Sequence, residues 1–319
     1  MIPQKRSGDS VSLVALNPLF GVSSAGAAQS LNFRSIDINL PGVTLTVAHG
    51  INAKRDIVGR YAVGASVHGF LLSKGTLTTI DHPNGIGTTF AQEISPTGDI
   101  VGHYGDQFST TELQHAFVRH PDGTFSPIDF PDELLPPSAP RPNSTLAIKI
   151  TPTGRIVGCF HHLFNDFPTT MHGYVFADGH YDPPFPLLGS MHNGITPDGQ
   201  MIAGVVFQNS MTQSHAYLVR DGVTQIIDPP GSISADARDI NPSGEIVGFF
   251  TDPANRTHGF LLDKGRYMVI DFPGNDVVAT QVRGINPQGD VVGQYVDSRG
   301  LHGFIATRSQ GQGHSPANP

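Results

Sequence analysis

The sequence predicts an all-β protein, a six-bladed β-propeller whose blades have four strands each. The first observation is a repeated segment, of which residues 284–305 (GINPQGDVVGQYVDSRGLHGFI) form one copy. The copies are 43, 56, 45, 45 and 45 residues apart, and about 40 to 45 residues is the repeat length of four-stranded propeller blades. The isoleucines used for this alignment are Ile51, Ile94, Ile150, Ile195, Ile240 and Ile285.

The second observation is the local chemistry of each copy. Short runs rich in Val, Ile, Phe and Tyr alternate with turn residues, and no 3.6-residue periodicity occurs. In five copies the aligned isoleucine precedes an Asx, Ser or Thr residue, a proline and a glycine, as in residues 241–244 (NPSG). This pattern is typical of a type I turn. The first copy departs from it, with residues 53–56 reading AKRD.

The third observation is that the last copy lacks a fourth strand, whereas a matching strand precedes the first copy. The last copy has no fourth strand of its own, because the pattern stops near Ile305. Residues 33–37 (FRSID) have the pattern of residues 267–271 (YMVID) and precede the first copy. An N-terminal strand in the last blade would close the ring, whereas the alternative, an open β-solenoid, has no use for a displaced strand. We therefore assign residues 31–306 to the propeller.

Composition excludes several classes of protein. The net charge is -8 and no basic run occurs, which argues against nucleic-acid binding. The sequence contains no segment of about 20 apolar residues, which is the length needed to span a membrane. The single cysteine, Cys159, cannot form an internal disulfide. We expect a monomer without a cofactor.

The two ends of the chain are predicted to lie outside the propeller. Lys5 and Arg6 precede an apolar run at residues 11–20 and small residues ending at Ala28, the order found in secretory signal peptides. Asn17 and Pro18 interrupt the apolar run, so residues 1–30 are either a signal-like leader or a retained disordered one. The polar tail at residues 307–319 is predicted to be disordered.

The third strand of every copy opens with a triplet of histidine, glycine or alanine, and an aromatic residue. An aspartate ends the fourth strand. From His68 to Asp81 the separation is 13 residues, which places the two residues opposite each other if the turn lies midway. A histidine that donates to a carboxylate is also a catalytic arrangement. Because the pair recurs around the ring, we predict a buried structural network instead. The histidines are His68, His115, His172, His215, His258 and His302.

This triplet and its surroundings resemble the HAF-type extracellular repeat family, named for the sequence that stands here as His115-Ala116-Phe117. The resemblance covers about residues 33 to 305. It implies a secreted or envelope-associated, propeller-like protein, and it implies no catalytic residues.

Function on a repeat scaffold is expected where the copies differ. The connections at residues 104–114, 130–144 and 160–171 are long and irregular, and they share one face, which we predict to be the binding face. The first strand of each blade enters from that face, so its early residues should line the mouth of an axial channel. Two residues before the aligned isoleucine stand His49, Gln92, Ile148, Asn193, Arg238 and Arg283, and His192 stands one position earlier, where the other copies have Ala or Val.

Two arginines on adjacent blades, facing a histidine and amides, predict a site for a carboxylate or another anion. The alternative is that these side chains only hydrate a water-filled channel.

Near the same face, a group of histidines and aspartates on the loops could bind a divalent metal or supply an acid/base pair. The spacing of these residues matches no known ligand signature, and a solvated loop is the simpler interpretation. That set is His103, Asp106, His161, His162 and Asp166. Cys159 is predicted to be a buried, inert thiol.

Three functions are consistent with this pattern. The first is a binding module that presents the channel mouth to a small anionic or sugar-like ligand, or to a partner protein. The second is a lyase or hydrolase in which His49 or His192 is the general base and Arg238 with Arg283 holds a substrate carboxylate. The third is a purely structural envelope protein.

Overall fold

The computed structural model describes residues 14–15, 31–106, 113–135, 144–161, 170–208 and 213–308. Within these ranges the protein is all-β, apart from one 3-10 turn at Asp132–Leu134. The predicted all-β class is therefore confirmed.

The strands form consecutive antiparallel units of four, each joined in sequence order. The first units are β3 (Val43–Ile51), β4 (Ile57–Val63), β5 (Ser66–Ser73) and β6 (Thr76–Ile80), then β7 (Thr89–Ile94), β8 (Ile100–Gly105), β9 (Gln114–Arg119) and β10 (Phe125–Pro127), then β11 (Ser144–Ile150), β12 (Ile156–His161), β13 (His172–Ala177) and β14 (His180–Tyr181). They are followed by β15 (Ser190–Ile195), β16 (Met201–Phe207), β17 (Ser214–Arg220) and β18 (Val223–Ile226), and by β19 (Ser234–Ile240), β20 (Ile246–Thr251), β21 (Thr257–Asp263) and β22 (Arg266–Ile270).

The last unit takes its outer strand from the start of the chain. Its own strands are β23 (Ala279–Ile285), β24 (Val291–Asp297) and β25 (Gly300–Arg308). β2 (Leu31–Ile36) pairs antiparallel with β25, with Phe33 opposite Ala306. The predicted placement of the N-terminal strand is thus confirmed. The short strand β1 (Val14–Ala15) pairs in parallel with β18.

The first and last units pack against each other. A parallel bridge joins Leu301 of β25 to Leu45 of β3, and one core cluster contains Ile36 and Ile305 together with Phe70. Across the same boundary, the Arg55 guanidinium donates to the Asp290 carboxylate, with Nε 2.8 Å from Oδ2.

The predicted turns are present and explain the departure in the first copy. In the copy at residues 241–244, the Gly244 N–H donates to the Asn241 carbonyl at 2.9 Å, and Gly244 has a φ of 81°. In the first copy Arg55 occupies the glycine position with a φ of 63° and donates its N–H to the Asn52 carbonyl. A left-handed conformation is costly for arginine, and the Asp290 contact compensates for part of that cost.

The histidine–aspartate pairs form in five of the six positions. The separation from histidine Nδ1 to the carboxylate is 2.9 Å at His68–Asp81, 2.7 Å at His115–Asp129, 2.6 Å at His215–Asp228, 2.8 Å at His258–Asp271 and 2.7 Å at His302–Asp37. The prediction of buried pairs is wrong, because the histidine side chains are 16–34% exposed.

The third unit departs from this pairing. His172 hydrogen-bonds to the Phe185 carbonyl at 2.9 Å rather than to Asp182. The reason is that β14 has only two residues, so the connection after it brings a backbone carbonyl to the imidazole.

Candidate functional site

A β-bulge interrupts the inner strand of every unit at one equivalent position. The inner strands are β3, β7, β11, β15, β19 and β23, and in each the pairing register skips the residue two positions before the aligned isoleucine. A bulge leaves one residue unpaired and redirects its side chain. The six bulge residues line one polar cavity together with Glu93 and Asp239: they are His49, Gln92, Ile148, Asn193, Arg238 and Arg283. The bulges therefore aim the predicted set at a common centre.

The polar cavity is small and contains polar atoms without partners. Its volume is about 10 Å³, roughly the space that one water molecule needs. His49 Nδ1 lies 2.5 Å from Gln92 Oε1, and Asn193 Nδ2 donates to the Ala237 carbonyl at 2.8 Å. Among the described residues, the buried atoms His49 Nε2 and Asn193 Oδ1 have no hydrogen-bond partner. A buried polar group without a partner is costly, so these atoms favour a bound polar group.

Two guanidinium groups line this cavity, and a third is an electrostatic neighbour of its residues His49 and Arg283. Arg283 donates to Gln281 Oε1 at 2.9 Å and to Gln294 Oε1 at 3.1 Å, both neutral acceptors. Arg238 donates to Asp236 Oδ2 at 3.2 Å. The third is Arg60, whose guanidinium carbon lies 4.8 Å from the centre of the Phe90 ring.

Arg60 was missed by the sequence analysis, which considered only the inner strands. It lies on the second strand of its unit, directly after the strand glycine Gly59. A search for charged residues at the equivalent position of every second strand would have found it. In the part of the chain that the structure describes, Arg60 has neither a hydrogen-bonding nor an ion-pairing partner.

The electrostatics of the cavity are those of a dehydrated cationic site. Burial, followed by the charge of the neighbouring Arg238, lowers the pKa of Arg60 to about 10. The pKa of Arg283 lies well below its ordinary value because of burial and then because of Arg238 and Arg60. The pKa of His49 is likewise lowered by burial and then by Arg283. Each of these shifts shows that positive charge is destabilised here, and an anion would relieve this repulsion.

One carboxylate, Asp236, forms an ion pair with an arginine of this cationic cluster. Burial raises the pKa of Asp236, while Arg238 and Arg283 act in the opposite direction. Asp236 compensates for one of the three guanidinium charges. Glu93 and Asp239, which also line the cavity, are paired with Lys149 and add one net negative charge at most, so a positive excess remains.

A buried carboxylate–lysine triad, formed by Glu93, Lys149 and Asp239, crosses the centre of the molecule. Lys149 Nζ lies 2.6 Å from Glu93 Oε2 and 2.9 Å from Asp239 Oδ2. Burial raises the pKa of Glu93 to about 7, and Lys149 opposes this rise. The carboxylates also accept backbone N–H groups, from Ile94 to Glu93 at 2.9 Å and from Ile285 to Asp239 at 2.9 Å.

Glycines at the equivalent positions of the other inner strands make room for the triad. The triad residues stand one position after the bulge, where the remaining copies have Gly50, Gly194 and Gly284. A Cβ atom on Gly50 would lie 2.8 Å from Glu93 Oε1, and one on Gly194 would lie 2.8 Å from the Ile240 nitrogen. Three large charged side chains thus fit only because three copies carry none.

The triad separates the polar cavity from a second, apolar cavity. The apolar cavity has a volume of about 60 Å³ and is lined by the six aligned isoleucines and by turn prolines. Glu93 lines both cavities. The expectation of a continuous axial channel is therefore wrong, because charged side chains from three different units meet across the centre.

His192 does not line the polar cavity. Its Nδ1 atom lies 2.5 Å from the Tyr217 hydroxyl, and its ring packs 4.7 Å from the centre of Phe185. Burial lowers its pKa to about 3. A residue one position before a bulge faces the neighbouring unit rather than the centre, so His192 occupies space that alanine leaves in other copies. It is not placed to act with Arg238 and Arg283.

The loop candidates for a metal site are only partly described. His103 is buried and stacks on Phe90 at 4.6 Å, and burial lowers its pKa to about 3. His161 ends β12, whereas His162 and Asp166 lie outside the described residues. Within the described ranges, no group of three or more His, Cys, Asp or Glu side chains could hold a metal ion.

The lone cysteine, Cys159, is a buried thiol whose pKa is raised by burial. A high pKa keeps a thiol protonated and unreactive. The prediction that Cys159 is buried is confirmed, and its raised pKa is consistent with an inert side chain.

Comparison with known proteins shows the fold only. No family model matches the sequence, and no curated protein matches it. A gluconolactonase from Xanthomonas campestris is similar in structure, with a TM-score of 0.51 and 14% identity over 83% of this chain and 87% of that chain. An acylaminoacyl peptidase from Pyrococcus horikoshii has a TM-score of 0.51 and 10% identity over 85% of this chain but 45% of its own.

A third structure, TolB from Acinetobacter baumannii, has a TM-score of 0.46 and 14% identity over 83% of this chain and 55% of that one. The strand order, together with the two structures that have TM-scores of 0.51, shows that the chain has an all-β, propeller-like fold. In the described part of the chain, no helix has the length and hydrophobicity needed to cross a membrane.

Proposed function

We propose that the chain is an exported HAF-type repeat protein, built as a six-bladed propeller and closed by residues 31–36. The pairing of β2 with β25 and the bridge between β25 and β3 support closure. A further link is the Asn286 side chain, which donates to the Asn52 carbonyl at 3.4 Å. The signal-like order of residues 1–28 supports export.

The function that this geometry supports best is binding of a small carboxylate-bearing ligand at the polar cavity. The observation that carries the proposal is the imbalance of charge: Arg60, Arg238 and Arg283 carry three positive charges, whereas Asp236 and the triad of Glu93, Lys149 and Asp239 carry two net negative charges at most. Guanidinium groups bind carboxylates through paired, charge-assisted hydrogen bonds. His49 donates its Nδ1–H to Gln92 Oε1, so its neutral Nε2 atom is an acceptor that can receive a hydroxyl group of the same ligand.

The size of the cavity limits what enters it. A volume of about 10 Å³ is the space that one water molecule needs, so one carboxylate oxygen enters and the rest of the ligand stays nearer the surface. The arrangement favours an anion over a neutral sugar, because a sugar hydroxyl would leave the guanidinium charges uncompensated.

Isothermal titration calorimetry with acetate, glucuronate and glucose tests this proposal. We expect acetate and glucuronate to bind and glucose not to bind. The double variant R238Q/R283Q should weaken binding at least 10-fold, while R256Q, which changes an exposed arginine paired with Asp252, should leave it unchanged. Absence of anion binding to the native protein, or equal binding by the double variant, would contradict the proposal and favour a purely structural protein.

Hydrolysis is a second candidate, and it depends on His49. Its imidazole is buried beside two arginines, and its lowered pKa keeps it in the neutral, basic form. Lactone hydrolysis produces a carboxylate, so gluconolactone is a suitable probe. Turnover that is lost in H49Q while acetate still binds would select the enzyme, whereas equal rates with and without protein would exclude this substrate.

A further inference from the structure

A ring of exposed aliphatic side chains borders the connections that lead into the inner strands. Each such connection carries one large aliphatic residue that is 42–64% exposed. We call this set the rim: Leu40, Ile86, Leu134, Leu188, Ile233 and Val278. Isolated exposed aliphatic residues are ordinary. One among the described residues of each such connection, at the same position in three of the six, is a pattern that folding does not require.

The backbone holds several rim residues rigidly. The N–H groups of Ile86, Ile233 and Val278 donate to the carbonyls of Gly105, Thr251 and Val296 at 2.9 Å each. These acceptors lie at or next to the last residues of β8, β20 and β24, each the second strand of the same unit. The rim side chains are therefore presented to solvent by ordered backbone.

The rim lies on the same face as the entrance to the polar cavity. Leu188, Ile233 and Val278 each stand five residues before the bulge residue of the strand that follows. Five residues of extended strand span about 17 Å. A molecule that covers the rim can therefore reach the cavity only with a projecting group.

We propose that the rim and the polar cavity together form a docking surface for a protein that presents a carboxylate, on a loop or chain end, flanked by apolar side chains. This inference rests on the proposed function of the cavity. The uncompensated guanidinium groups select a negative group, and the cavity accepts only one small group. The rim residues supply the apolar contacts around it, and interfaces commonly combine such contacts with a few buried charged pairs.

The spacing of the rim favours a protein over a lipid. A lipid tail is bound in an enclosed apolar groove that buries most of its surface. The rim residues instead come singly from separate connections, and each retains roughly half of its exposure. A broad protein surface can contact such separated side chains simultaneously, whereas one acyl chain cannot.

Selection of linear random peptides displayed on phage tests the inference with defined probes. We expect the native protein to enrich peptides that carry Asp, Glu or a free terminal carboxylate about five residues away from apolar residues, because the rim lies about 17 Å from the cavity. Synthetic versions should bind at least 10-fold more weakly to I233N/V278N and to R238Q/R283Q. The matched control V223N/V269N changes exposed valines on outer strands and should bind normally.

The outcomes separate this inference from the function on which it rests. If acetate binds but no peptide is enriched, or if enriched peptides bind equally to the rim variant, the docking surface is refuted and the anion site stands. Peptides that need the rim but not the arginines also refute it, as does binding to neutral lipid vesicles that depends on the rim. If neither acetate nor peptides bind, both proposals fail.

Discussion

Lys149 Nζ lies 2.6 Å from Glu93 Oε2, although the two residues are 56 positions apart and belong to different four-strand units. With Asp239, they place two carboxylates and one lysine at the centre of the molecule. Removing one member of a buried ion pair leaves a charge without compensation. The triad therefore couples three units through charge, and its loss has consequences that can be measured.

Replacing Lys149 by Met should destabilise the protein by about 3 to 5 kcal/mol, because Glu93 and Asp239 would remain buried without a cation. Urea unfolding monitored by circular dichroism measures this change. The control K54M alters a side chain that only contacts the Pro96 carbonyl at the surface, and its stability should be near native. A K149M loss below 1 kcal/mol would show that the triad is not the charge network described here.

Glu93 should make stability fall as pH rises from about 4.5 to about 7. Its pKa is raised from the ordinary 4.5 to about 7 by burial, so the folded state holds a proton there that the unfolded state releases. Folding is then favoured by acid across this window. The variant E93Q should be stabilised relative to the native protein at pH 8 more than at pH 5, as measured by unfolding at both values. An equal difference at both pH values would contradict the shift.

His192 should make the protein sensitive to acid. Its folded pKa is about 3, lowered by burial from 6.5, so below pH 6.5 the unfolded state binds a proton that the folded state does not. This destabilisation should reach about 2 to 3 kcal/mol near pH 4.5. H192A introduces the residue found in most other copies and should flatten the pH dependence of unfolding, whereas H180A, at the exposed first residue of β14, should not. Parallel pH profiles for native protein and H192A would refute this.

In the histidine–aspartate pairs, the aspartate should matter more than the histidine. Asp228 accepts both the His215 ring N–H at 2.6 Å and the N–H of buried Ala216 at 2.8 Å. D228A leaves that buried N–H without a partner, at a cost of about 1 to 3 kcal/mol, while H215A leaves only the part-exposed Asp228 side chain without its ring partner. Denaturant unfolding of both variants should show the larger loss for D228A. The reverse order would indicate that the imidazole supplies the main stabilisation.

The N-terminal strand should be a full member of the core. Ile36 is 5% exposed and packs in the cluster shared by the first and last units, so I36A should cost about 2 to 5 kcal/mol. V269A truncates a side chain that is 56% exposed on an outer strand and should cost less than about 0.5 kcal/mol. Similar losses for the two variants would argue that residues 31–36 dock only loosely.

The repeat pattern predicted most of the backbone arrangement. The spacing of the aligned isoleucines, the turns after them and the match between residues 33–37 and 267–271 predicted the four-strand units and the position of β2. These features are local or periodic, so they can be read along the chain. The alignment also identified five of the bulge residues as polar, because the copies differ at that position.

The sequence could not predict which of these side chains meet. Arg60 enters the site from a second strand, and the triad forms only when strands from three units converge on one centre, where Gly50, Gly194 and Gly284 leave space. His192 stands one residue before the bulge and faces away from the site, because a single step along a strand points the side chain to the opposite face.

By itself, the sequence determined the all-β class, the repeating unit and the place of the N-terminal strand, because these depend on periodic burial and on turn chemistry within each copy. Only the tertiary structure decided that the centre is closed by Glu93, Lys149 and Asp239, and that two arginines line a cavity above it with a third arginine nearby. Those properties depend on side-chain directions set by β-bulges and on charges from distant copies, and no pattern within one copy contains either.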